Sequence, residues 1–161
     1  MSGSYYTHDD LVRLILRESV GLLATERMDA FEAHMKKMGK KGSVNPGDWD
    51  TIDALDPASQ ILELKICDPA MGSGHFLVAL VDYLADRVLE AITTATHLVG
   101  GQPWAAHLVE SGRPWQSPVL QRMATIRKSI KTTAKDHGWA VTDAQLDDRH
   151  IVRRMILKKT I

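Results

Sequence analysis

The first recognisable pattern along the chain is "LVRLILRESVGLLA", where Leu11, Leu14, Ile15 and Leu22 recur at the spacing of one helix face. Thr7 followed by Asp10 reads as a capping box with Asp in place of Glu, so a helix is predicted from about Asp9 to Thr25. "ERMDAFEAHMKKM" allows the helix to continue, with Met28, Met35 and Met38 at helical spacing as core or partner contacts. "GKKGSVNPGDWD" breaks the pattern with three glycines and a proline and reads as an exposed loop, with Asn45-Pro46 as a turn. "ILELKIC" is short, alternates weakly and is bounded by Pro57 and Pro69. It predicts a buried strand from about Leu62 to Cys67. From His75 to about Thr93 the spacing is helical, and its first turns are apolar on nearly every side, so burial is expected at its start. Asp82, Asp86 and Glu90 form an acidic stripe on this helix, read as a solvated face. Ser117 and Pro118 open a helix ending near Gly138, and Asp147 or Asp148 caps a last one, "RHIVRRMILKK".

Composition narrows the class. With 161 residues, 44% of them apolar and 25% charged, an ordinary single soluble domain is expected. A lone cysteine, Cys67, rules out a disulfide framework within one chain and fits a cytoplasmic setting. No run approaches the length of a membrane span, so no membrane partner is expected. The seven histidines lack metal-ligand spacing, so no metal site is expected. The formal net charge of zero hides an asymmetry: from Arg113 onward there are eleven Lys and Arg against four Asp and Glu. Such a basic third points toward nucleic acid, with Arg122, Arg127, Lys128, Lys131 and Lys135 as a candidate stripe, although basic residues also serve solubility. Trp104, Trp115 and Trp139 read as apolar packing rather than as base-stacking platforms.

The chemistry is concentrated in "DPAMGSGHF", residues 68 to 76, between the predicted strand and the predicted helix. Glycines there let the backbone approach a ligand, and the following helix offers unpaired N–H groups. Neither the triphosphate pattern G-x-x-x-x-G-K-[ST] nor the dinucleotide pattern G-x-G-x-x-G is present. A ligand with a zwitterionic amino-acid tail needs a carboxylate for its ammonium, N–H groups for its carboxylate, and little side-chain bulk between them.

At these residues the chain resembles the adenine-specific (N6) DNA methyltransferases of restriction-modification and phage-defence systems, whose S-adenosylmethionine motif reads D-P-A-x-G-S-G-H-F. Two further stretches are similar to that family: "SYYTHDDLVRLIL" to its Y-[YF]-T-P and helix, and "DDRHIVRRMILKKTI" to the helix leading into a second strand. The resemblance implies an α/β fold, the N-terminal fragment of a Rossmann-like methyltransferase, mostly helical with one or two strands, the second beginning at Thr160. It implies that Asp68 meets the methionine ammonium, that Ala70, Gly72, Ser73 and Gly74 wrap the methionine and ribose side, and that Tyr6 and Thr7 close the pocket. His8 stands where the family has Pro, and His75 reads as a helix-start residue facing the loop.

The family's N-P-P-[YF] loop, which holds the target amine and stacks on a flipped base, has no counterpart in this sequence; "NPGD" at Asn45 supplies two letters and no aromatic. Nor is the acidic residue of a second strand present. The resemblance therefore implies the N-terminal piece of a larger enzyme, catalytically silent alone. Its expected parts are a helical region over 1–60, a strand, glycine loop and helix over 61–95, and a basic helical region over 96–161. Double-stranded DNA is the expected partner through the complete enzyme. Exposed apolar surface implies self-association or association with the missing C-terminal part. The alternatives are a non-catalytic binding module and an unrelated helical protein whose glycine turn is only structural.

Overall fold

The computed structural model describes residues 8–69 and 72–161. Its regular elements are all helical: α1 (Asp9–Leu16), α2 (Leu22–Met38), α3 (Pro46–Ala54), α4 (Pro57–Leu62), α5 (His75–Gly100), α6 (Ala106–Glu110), α7 (Pro118–Asp136) and α8 (Asp148–Lys159), with short 3-10 turns at Pro103–Ala105 and Asp143–Leu146. One π-helical turn, Arg17–Gly21, joins α1 to α2 into a continuous rod. The helix expected to end near Thr25 thus runs on to Met38.

The expected α/β class is overturned, because no strand forms among the described residues. Residues 57–62 form α4, whose last residue, Leu62, is the first of the expected strand; the helix starts on Pro57 with the Asp56 side chain accepting from the Ser59 N–H. Residues 64–68 are irregular. Leu64, Ile66 and Asp68 are half-buried while Lys65 and Cys67 are exposed, the alternation of a strand without its ladder. The Ile66 N–H donates to the Thr160 carbonyl at 2.8 Å, and the Thr160 hydroxyl donates to the Leu62 carbonyl at 3.2 Å. The two segments expected to be neighbouring strands therefore touch through one backbone bond, too few to make a sheet. Asn45-Pro46 is likewise no isolated turn. Asn45 caps α3 in a reciprocal box with Asp48, and Pro46 takes the first helical position.

The axis of the packing is α5, against which α4 and α8 lie most extensively, with α1 and α2 alongside. Leu80, Leu84, Val88, Ala91, Ala95 and Val99 recur three or four residues apart and are all but fully buried. The first turn of α5 departs from expectation: His75, Phe76 and Leu77 are only half-buried, and Val78 is 64% exposed. The main core joins α5 to Val12 and Leu16, to Ile61 and Leu62, and to Val119, Ile151 and Ile156, so distant thirds of the chain share it. A second core gathers Phe31, Met35, Met38, Ile52, Val99 and Trp104. Ser117 caps α7 and Asp147 caps α8, as the sequence reading expects.

The acidic stripe of α5 is more than a solvated face. Asp82 pairs with Arg153 at 2.5 Å and Asp86 with Arg149 at 3.0 Å, so the stripe fastens α5 to α8. Glu90 pairs with Arg87 on its own helix.

Candidate functional site

The glycine turn is shaped by its backbone. Gly72 and Gly74 have φ of 54° and 77°, in the left-handed region that an L side chain adopts only at a cost. Gly74 is the residue immediately before α5 and gives it no side-chain cap. Among the described residues no heavy atom stands within 4 Å of where a Cβ would sit on Gly74, so its glycine answers to conformation and leaves free space beside the helix start. Gly72 and Ser73 are exposed, and Asp68 is half-buried at the end of the irregular stretch. Ala70, Tyr6 and Thr7, the other expected cofactor contacts, lie outside the described residues.

The upstream motif and the glycine turn are brought together from opposite parts of the sequence. His75 Nε2 lies 2.9 Å from Asp9 Oδ1, which ties the first residue of α5 to the first residue of α1. His8 Nδ1 accepts from the Asp10 N–H at 3.3 Å at the start of α1, while the expected Thr7 box falls on a residue outside those described. An open cleft of about 790 Å³ runs beside these two helix starts, with Asp9, Arg13, Arg17, His75, Tyr83 and Arg149 in its walls. The volume is ample for a small organic ligand. Tyr83 approaches the π-turn at Arg17–Gly21 where glycine has no side chain, and its hydroxyl occupies the position a Gly21 Cβ would need.

The groups on which a ligand with an amino-acid tail would depend are the half-buried Asp68 and the backbone of the turn from Gly72 to Gly74, which leads into a 26-residue helix. Among the described residues no cluster of His, Cys, Asp and Glu could hold a metal ion, and no helix is long and apolar enough to cross a membrane.

The tryptophans divide. Trp104 is buried and donates its indole N–H to the Met38 carbonyl, and Trp115 is half-buried and donates to Asp53 Oδ1. Trp139 is 64% exposed and stacks on His137 with ring centroids 4.8 Å apart, so the packing expected for it does not occur. The basic stripe expected on α7 is partly spent on structure: Arg127 pairs with Asp148, Lys131 with Asp143, and Arg122 donates to the Ser59 hydroxyl.

No protein-family model and no solved structure matches the chain. Over 97 residues it is 29% identical to a protein of Methanocaldococcus jannaschii named "Putative type II restriction enzyme and methyltransferase". The match covers 51% of this chain and 8% of that protein, so the chain spans a small fraction of the relative's length. The likeness is to a methyltransferase of the restriction-modification kind.

Proposed function

We propose that this chain is the S-adenosylmethionine-binding segment of a cytoplasmic DNA methyltransferase of a restriction-modification or related defence system, specific for the N6 amine of adenine. The observation that carries the reading is the "DPAMGSGHF" turn set before α5, with the start of α1 tied to it through Asp9 and His75. The likeness to a restriction enzyme and methyltransferase supports the reaction class. S-adenosylmethionine supplies an activated methyl group on its sulfonium. In this reading Asp68 takes the methionine ammonium, the backbone around Gly72, Ser73 and Gly74 takes the carboxylate and ribose side, Ala70 keeps the turn free of bulk, and Tyr6 and Thr7 cover the pocket. Residues 1–161 contain no N-P-P-[YF] loop to hold a flipped adenine, so the chain by itself is expected to bind cofactor without methylating DNA.

Calorimetric titration with S-adenosylmethionine tests the reading, with the wild-type chain beside Asp68→Ala. Saturable binding that the variant loses is expected. A folded wild-type chain that takes up no cofactor overturns the assignment. A non-catalytic binding or interaction module is the second reading, favoured by the same missing loop. It separates from the first when the chain is mixed with a polypeptide carrying the N-P-P-[YF] loop and methyl transfer to double-stranded DNA is measured.

A further inference from the structure

Helices α7 and α8 leave between them an open groove of about 640 Å³. Ile126, Ile130 and Met155 make its floor, Gln121 and Ser129 stand on the α7 wall, and Arg154 and Lys158 stand on the α8 wall. No carboxylate lines it. The ion pairs of α8 make this uneven charge informative. Arg149 meets Asp86, Arg153 meets Asp82 and Lys159 meets Glu63, so the basic residues turned toward α5 and α4 are each matched by an acid. Arg154 and Lys158 are exposed and meet no carboxylate among the described residues. Four residues apart, they share a helix face with a rise of about 6 Å between them.

We propose that the α7–α8 groove is a site for the sugar-phosphate backbone of DNA. Arg154 and Lys158 neutralise neighbouring phosphates, the Ser129 hydroxyl and Gln121 amide donate to phosphate oxygens, and the Ile126, Ile130 and Met155 floor receives the apolar face of the deoxyribose. The Thr125 hydroxyl, which also lines the groove, is engaged with the Gln121 carbonyl at 3.0 Å and acts as part of the wall. Nucleic acid is favoured over an acidic polypeptide because the whole segment from Arg113 onward is strongly basic and the relative is named as a restriction enzyme and methyltransferase. The proposal rests on the reading of DNA as the substrate; it does not need the cofactor assignment.

The test is fluorescence anisotropy of the full chain with a labelled random duplex of about 30 base pairs, between about 50 and 200 mM salt. Arg154→Ala/Lys158→Ala is compared with Lys37→Ala/Lys40→Ala, an exposed pair at the end of α2, outside the basic stripe, that also meets no acid among the described residues. Neither pair contributes to the core, and circular dichroism with urea unfolding checks that both variants fold. The groove pair is expected to lower the slope of log affinity against log salt by about 2, near 0.9 per phosphate lost, while the comparison pair keeps the wild-type slope. A wild-type slope in the groove variant, the loss falling on the comparison pair instead, or a wild-type chain that ignores DNA and binds an acidic peptide in the groove would each overturn the proposal. Failure to bind S-adenosylmethionine beside an intact DNA slope would strike the cofactor reading alone.

Discussion

Two glycines are constrained in opposite ways, and the contrast can be measured. At Gly74 the space is open and the backbone is left-handed, so Gly74→Ala pays in conformation alone, about 1–2 kcal/mol in urea unfolding. Gly21 has an ordinary helical backbone, but a Cβ there would press on the Tyr83 hydroxyl and approach the Leu16 carbonyl at 3.3 Å. Crowding of that kind costs about 1–3 kcal/mol, against about 1 kcal/mol gained from helix propensity. Gly21→Ala is therefore expected to destabilise, and Gly21→Ala/Tyr83→Phe to recover most of the loss. No recovery in the double variant would show that the hydroxyl is not the obstacle. Asp56 presents a different constraint. It is fully buried, its Oδ2 accepts from the Ser59 N–H and the Ser117 hydroxyl at 2.9 Å each, and its Oδ1 has no partner among the described residues. Ser117→Ala removes one of these bonds and the cap of α7 together, with an expected cost of about 1–3 kcal/mol in urea unfolding. A change within a few tenths of a kcal/mol would mean that water replaces the hydroxyl.

Among the helices, the ends are where pH acts. The Asp147 carboxyl, capping α8, is held below its ordinary range first by the His150 backbone N–H and then by the His150 side chain. Glu63 is lowered by its bond to Lys159, and Asp48 by the Asn45 N–H and then Lys41. For a carboxyl whose folded pKa is depressed, the stabilisation is fully present above the unfolded value near 4 and is lost as pH falls through the lower folded value. The urea midpoint is thus expected to hold from about pH 7 to 5 and to drop below about pH 4. Asp147→Asn should start lower and drop less. An unchanged acid drop in that variant would remove Asp147 from the account. The α5–α8 ion pairs matter less to stability: they are partly exposed, and pairs of this kind contribute about 0.2–1 kcal/mol. The seam itself is apolar, formed where Leu80, Leu84 and Val88 share a core with Ile151, Val152 and Met155.

For the molecule as a whole, the unusual feature is apolar surface. Leu11, Leu14, Ile15 and Leu22 are 42–54% exposed along one stretch of the rod that α1 begins, near the cleft. Self-association through this surface is expected to show in sedimentation velocity as a mass that rises with concentration, and Leu11→Glu/Leu14→Glu should reduce it without lowering the urea midpoint. A wild-type chain that stays monomeric throughout would argue that the stripe is simply hydrated.

By itself, the sequence determined what depends on near neighbours. Helix spacing in α1, α5, α7 and α8, the Ser117 and Asp147 caps, and the need for glycine before α5 are all settled within a few residues, because a helix closes its hydrogen bonds within four positions and a left-handed backbone is a property of one residue. The candidate cofactor turn was legible for the same reason, since its chemistry sits in nine consecutive residues. What only the tertiary structure decided depends on partners far along the chain. The segment expected as a strand from Leu62 to Cys67 carries strand-like alternation, but a strand exists only when a second segment completes the ladder, and Thr160 supplies one backbone bond. The acidic stripe of α5 looked solvated because its partners Arg149 and Arg153 lie more than sixty residues away. The same packing separates matched cations from the unmatched Arg154 and Lys158, a distinction invisible in a sequence where all five basic residues of α8 look alike. Charge is a property of the residue; whether it is neutralised is a property of the fold.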